Sequence, residues 1–119
     1  MFKDELRKVV DSTDGGLASI LMDFEGIPLE TYAKAETPFD IETVGAEVSV
    51  VVKAIERASQ SLEAGSTREV AFKSDKLITL IRVLNEGYFV LLAIRPDGNL
   101  GQGRFLLRVA APALVEELS

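Results

Sequence analysis

DIETVGAEVSVVVKAIERASQSLEA, residues 40–64, decides how the rest of the chain is arranged. Within it Ile41, Val44, Val48, Val51, Val52, Ile55, Ser59 and Leu62 recur at three- and four-residue intervals, the α-helical period. The spacing predicts one long helix from Asp40 to Ala64, with that stripe facing the core. At about 1.5 Å per residue such a helix extends ~36 Å, the width of a small domain, so it has to cross the fold. On its back Thr43, Ala46, Val50, Ala54, Arg57 and Ser61 form a second strip of small and apolar groups, where a solvated helix carries Lys and Glu. Burial against one sheet does not explain that second strip.

Working outward, residues 35–39 form the entry loop, Asp40 is the expected N-cap with Thr43 three residues on, and Gly65 is expected to close the helix. Upstream, residues 17–22 are almost continuously apolar and stop at Asp23-Phe24-Glu25-Gly26. Ile27, Leu29, Thr31 and Ala33 then alternate with Pro28, Glu30, Tyr32 and Lys34, which reads as the second arm of a hairpin. Pro28 cannot donate to a ladder and puts that arm at a sheet edge. Before the hairpin, Phe2, Leu6, Val9 and Val10 mark a short amphipathic helix ending at Asp11-Ser12-Thr13-Asp14-Gly15-Gly16.

Downstream, residues 68–74 alternate, with Val70 and Phe72 on one face and Glu69, Ala71 and Lys73 on the other, so this is the second edge. Residues 77–84 and 88–94 are nearly solid apolar runs, which belong at the centre of a sheet covered on both faces. Asn85-Glu86-Gly87 and Arg95-Pro96-Asp97-Gly98-Asn99 are turns, and residues 100–118 return to a helical pattern that Pro112 is expected to kink or restart. The order is α-β-β-α-β-β-β-α, an α+β fold: a three-layer α/β/α arrangement on a five-stranded antiparallel sheet, in a single domain spanning residues 1–119.

One helix about 10 Å wide cannot cover one face of a sheet about 24 Å across. A symmetric second copy would complete the cover by pairing the edges at residues 68–74, with Val70, Ala71, Phe72 and Lys73 as the expected dimer interface, and laying the two long helices side by side.

Composition narrows the chemistry. Thirteen basic and 19 acidic residues give a net charge of −6, which argues against nucleic acid or an anionic lipid surface as main partner. The chain has no cysteine and no histidine, so disulfides, cysteine-based zinc sites and thiol or imidazole catalysis are excluded. No metal, cofactor or catalytic residue is expected. The alternation of charge and apolar groups over residues 1–11 is unlike a signal peptide, no run approaches the ~20 residues that span a bilayer, and a cytoplasmic location without membrane insertion is expected.

Gly98, Gly101 and Gly103 have the wrong spacing for a dinucleotide or phosphate loop, and Gly65-Ser66-Thr67 lacks the lysine such a loop requires. Asp97-Gly98-Asn99 is too short for a calcium loop, and Asp23 and Glu25 are solvated turn residues. Arg104, one helical turn before Arg108, reads as one half of a surface ion pair and not as an anion clamp. Val50, with little charge around it, reads as part of a contact surface.

Three phrases carry a family resemblance. Ile20-Leu21-Met22-Asp23-Phe24-Glu25-Gly26 leading to Leu29, the pair of runs at residues 77–84 and 88–93, and Asn99-Leu100-Gly101-Gln102-Gly103-Arg104 resemble the Roadblock family, which includes dynein light chains and the bacterial gliding-motility protein MglB. The resemblance covers nearly the whole chain and is one of pattern and topology. It implies a Roadblock/profilin-like fold and dimers joined through the third strand and the long helix, forming a platform for a Ras-like small GTPase. For the gliding relatives it also implies stimulation of GTP hydrolysis without an inserted arginine. Those relatives carry an acidic C-terminal tail that has no counterpart beyond Leu118.

The expectation is therefore a non-catalytic, homodimeric regulator or scaffold that presents Thr43, Ala46, Val50, Ala54 and Arg57 to a prokaryotic Ras-like GTPase. The alternative is a small-molecule sensor of the PAS or GAF kind, which requires a cavity beside the sheet.

Overall fold

The computed structural model describes residues 1–119. Its centre is β5 (Tyr88–Ile94), whose residues from Phe89 onward are all buried. A strand that shows no side chain to water needs a neighbour on each side and a layer on each face. β1 (Gly16–Asp23) and β4 (Leu77–Val83) flank it, and β2 (Pro28–Ala33) and β3 (Glu69–Ser74) form the edges in the order β2-β1-β5-β4-β3, with every pairing antiparallel. Both half-polar strands thus lie at the edges, as their alternation predicts.

Strand alternation sorts the apolar side chains into two cores. Leu21, Ile78, Leu80, Val90, Leu92 and Ile94 face α1 (Phe2–Ser12) and α3 (Leu100–Leu118), which contribute Leu6, Val9, Val10, Leu107, Ala110 and Leu114. Ile20, Met22, Ile81, Phe89, Leu91 and Ala93 face α2 (Ile41–Ser61), which contributes Ile41, Val48 and Val52. Ser19 is buried on the α1/α3 side, opposite Leu92, where its hydroxyl is satisfied by donating to the Leu91 carbonyl at 2.7 Å. The result is the three-layer α+β fold.

α2 starts where the sequence places it. The Asp40 carboxylate accepts from the Glu42 N–H and the Thr43 hydroxyl, both at 3.1 Å. It ends three residues before Ala64, and Gly65 does not close it: Glu63 itself takes the left-handed conformation at φ 56°, with its N–H on the Gln60 carbonyl. The core stripe is also shifted. Val51 and Leu62, expected inside, are exposed, while Gly45 and Ser49 are buried. At Gly45 a Cβ would stand 3.0 Å from the Met22 thioether, so the absence of a side chain lets α2 sit close on β1. Pro112 lies inside a continuous α3. It is exposed, so the Arg108 carbonyl left without an amide partner faces water.

The two faces are not covered alike. α1 and α3 share one, α1 over β1 and β2, α3 over β4 and β5. α2 alone serves the other and packs chiefly on β1 and β2, leaving the β3–β4 side of that face thinly covered.

Candidate functional site

Ala46, Val50, Ala54 and Arg57 stand three or four residues apart on α2 and all are exposed, so the structure brings these four sequence-derived residues onto one surface. Val50 is 67% exposed, whereas Val48, Ser49 and Val52 on the sheet-facing side of the same turns are buried. It therefore occupies the crown of the helix, opposite the sheet. Thr43 shares the exposed side, but its hydroxyl is bound to the Asp40 cap. Arg57 makes no ion pair.

Val51 lies about 100° around the helix from Val50 and is 44% exposed. Together with Glu47, Ala54, Ala58 and Leu62, the last 78% exposed just past the helix end, it forms an exposed flank. The other flank is occupied: Lys53 pairs with Glu25 at 3.5 Å, and Glu56 accepts from the Thr67 N–H at 3.0 Å and the Gln60 amide at 3.1 Å. These bonds, led by the Thr67 N–H, hold the Glu56 carboxyl below its ordinary value.

At the β3 edge the four expected residues divide. Val70 is half-buried against the α2-side core, Phe72 on the same face is 40% exposed, and Ala71 and Lys73 are exposed on the opposite face with Glu69. Register shows which backbone groups are free. The Val83 N–H donates to the Arg68 carbonyl at 2.9 Å, so Arg68, Val70, Phe72 and Ser74 bond to β4, while Glu69, Ala71 and Lys73 turn their N–H and C=O groups outward. Arg104 lies on that face of β3, its Nε 3.0 Å from both Glu69 carboxylate oxygens, the surface ion pair expected of it.

Sequence reasoning missed Val51 and Leu62, whose three- and four-residue spacing matches the core stripe. It also missed a cleft of about 670 Å³ between the C-terminal half of α2, residues 66–68 and the β4–β5 turn. No metal-binding cluster of acidic residues exists, and no helix is long and apolar enough to cross a membrane.

MglC from Myxococcus xanthus is similar over 98% of this chain and 98% of its own, at 35% identity and a TM-score of 0.72. The chain belongs to the Roadblock family. An MglB in a tetrameric arrangement matches with a TM-score of 0.85 at 18% identity, over 95% of this chain and 84% of that one. The Roadblock/LC7 domain from Streptomyces avermitilis matches with 0.86 at 11% identity, over 98% and 96%. At those identities the last two speak for the Roadblock fold alone. No protein-family profile and no curated protein sequence matches the chain.

Proposed function

We propose that this Roadblock protein is a homodimeric regulator or scaffold that docks a Ras-like small GTPase on the crown of α2, through Thr43, Ala46, Val50, Ala54 and Arg57. The observation that carries the reading is Val50, two-thirds exposed at the centre of a strip of small side chains that no other part of the chain covers. Small residues let a partner backbone approach closely, and Arg57 supplies a free charge at the border of an apolar contact. The chain acts on its partner and holds no catalytic group or cofactor of its own; stimulation of GTP hydrolysis is the activity that the gliding relatives suggest.

The dimer uses β3. Its outward groups at Glu69, Ala71 and Lys73 allow antiparallel pairing about a two-fold axis at Ala71. That register sets Glu69 opposite Lys73 of the second copy, an attractive cross-strand pair, and Val70 opposite Phe72 on the α2 side. In this dimer the exposed flank of α2 with Val51 and Leu62 is the part turned to the second copy, and the reading keeps Val50 for the platform. The tetrameric arrangement of a similar MglB supports self-association.

Val50→Asp tests the assignment. Expected is an unchanged dimer mass by light scattering with retention of a Ras-like GTPase from the source cell lowered about tenfold or more. A variant that keeps both properties sinks the docking surface, and loss of the dimer alone moves Val50 into the seam.

A further inference from the structure

The cleft beside α2 has the volume of a small-molecule site, about 670 Å³. Its walls come from four separate segments. Arg57 on α2 and Arg68 in the connection to β3 bring two guanidinium groups, while Phe24 and Val83 bring apolar surface. The Phe24 ring is fixed from behind by Phe89, with centroids 5.4 Å apart.

Neither arginine has a carboxylate partner, although the chain carries six more acidic than basic residues and other cations are paired, among them Arg7, Arg95 and Arg104. The carboxylate nearest to hand, Glu56, is turned onto the Thr67 N–H and Gln60, and Lys53 is held by Glu25. Glu86, exposed on the β4–β5 turn, lines the cleft without pairing to either arginine. Thr67 Oγ1 is buried beside the Glu56 carboxylate, which the Thr67 side chain helps to hold in its charged form, so Glu56 is committed to Thr67 and Gln60 and not to either arginine.

We propose that the cleft binds a small organic anion. A phosphate or carboxylate is held by the guanidinium forks of Arg57 and Arg68, and the apolar body of the molecule rests on Phe24 and Val83. Planar forks suit both oxyanions, and charge-assisted bonds of this type are the strong ones. Arg57 belongs to the docking strip as well, whereas Arg68 lies outside it, so Arg68 separates this site from the GTPase surface.

The test is a titration of the full-length, ¹⁵N-labelled protein with adenosine monophosphate, citrate and inorganic phosphate, followed by amide shifts. Saturable movement of the Thr67, Arg68, Asn85 and Glu86 amides with the nucleotide is expected, with inorganic phosphate weaker at the same amides. Preference for citrate instead assigns the anion as a carboxylate. Arg68→Gln and Arg57→Gln each weaken binding about tenfold, and Arg68→Lys keeps part of it. Both side chains are exposed, and the dispersion of the same spectra reports whether each variant is folded. The proposal is overturned by the absence of saturable shifts with all three probes, by shifts confined to β3 or α3, or by binding that both glutamine variants leave unchanged.

Discussion

The two edges of the sheet are strands of equal length, six residues each, and they are finished differently. β2 begins with Pro28, opposes a register shift between Leu21 and Met22, and is tied to α1 through Tyr32 to Asp11 at 3.1 Å and Lys3 to Glu30 at 4.0 Å. β3 pairs with β4 without a shift, contains no proline, and has a single side-chain tie, Glu69 to Arg104. A proline, a bulge and flanking cover are the devices by which natural sheets blunt an edge. They are concentrated on β2. The flat edge at β3 adjoins the thinly covered part of the α2-side face, so the incomplete edge and the incomplete face are one region.

The comparison breaks first at Ala71. Its N–H points away from β4, so Ala71→Pro removes an outward donor while leaving the internal ladder bonded, and the dimer dissociation constant should rise roughly a hundredfold. Thr31→Pro is the matched change at an outward position of β2 and should leave the oligomer intact. Sedimentation equilibrium on both reads the difference, and equal effects would erase the distinction between the edges. Phe72→Asp comes next: a charge in the centre of the seam should weaken self-association about tenfold or more, with the monomer still folded by circular dichroism.

The register itself is tested by Lys73→Glu. Like charges then face each other twice across the two-fold axis, which should weaken the dimer a few-fold, and adding Glu69→Lys should recover most of the loss. A double variant no better than Lys73→Glu rules out the Ala71-centred pairing. The smallest effect concerns acid. Because Glu56 is held below its ordinary value in the fold, its contribution to stability is present at neutral pH and is lost as pH falls through the depressed value. Glu56→Gln should therefore flatten the fall of the thermal midpoint between neutral pH and about 3, and an unchanged profile would assign the acid sensitivity elsewhere.

Much of this was legible from residues alone. Solid runs at residues 77–84 and 88–94 could only be strands buried on both faces, and Pro28 and the polar alternation at residues 68–74 marked the edges, because side-chain period and ladder chemistry act locally. The crown of α2 was legible for the same reason. Val51 and Leu62 were misread because a helical stripe records periodicity but not where the helix sits on its sheet; α2 lies over β1 and β2, and its flank is left out of the core. Gly45 and Ser49 were passed over because hydrophobicity does not mark residues that are buried for being small. The cleft was invisible because residues 24, 57, 68 and 83 share no period, and only the folded chain brings them together.

The connection between α2 and β3 carries one more consequence. Residues 62–68 contain two positive-φ positions, Glu63 and Gly65, and are stitched back to the helix through the Ser59 hydroxyl to the Gly65 carbonyl at 2.7 Å and through Glu56 to the Thr67 N–H. A segment tied at two points in this way is suited to act as a lever more than a tether. In the proposed assembly, displacement of the helix by a docked protein would be delivered to the sheet edge that pairs with the second copy. Thermodynamic linkage then makes the coupling mutual: whatever factor docking applies to self-association, self-association applies to docking.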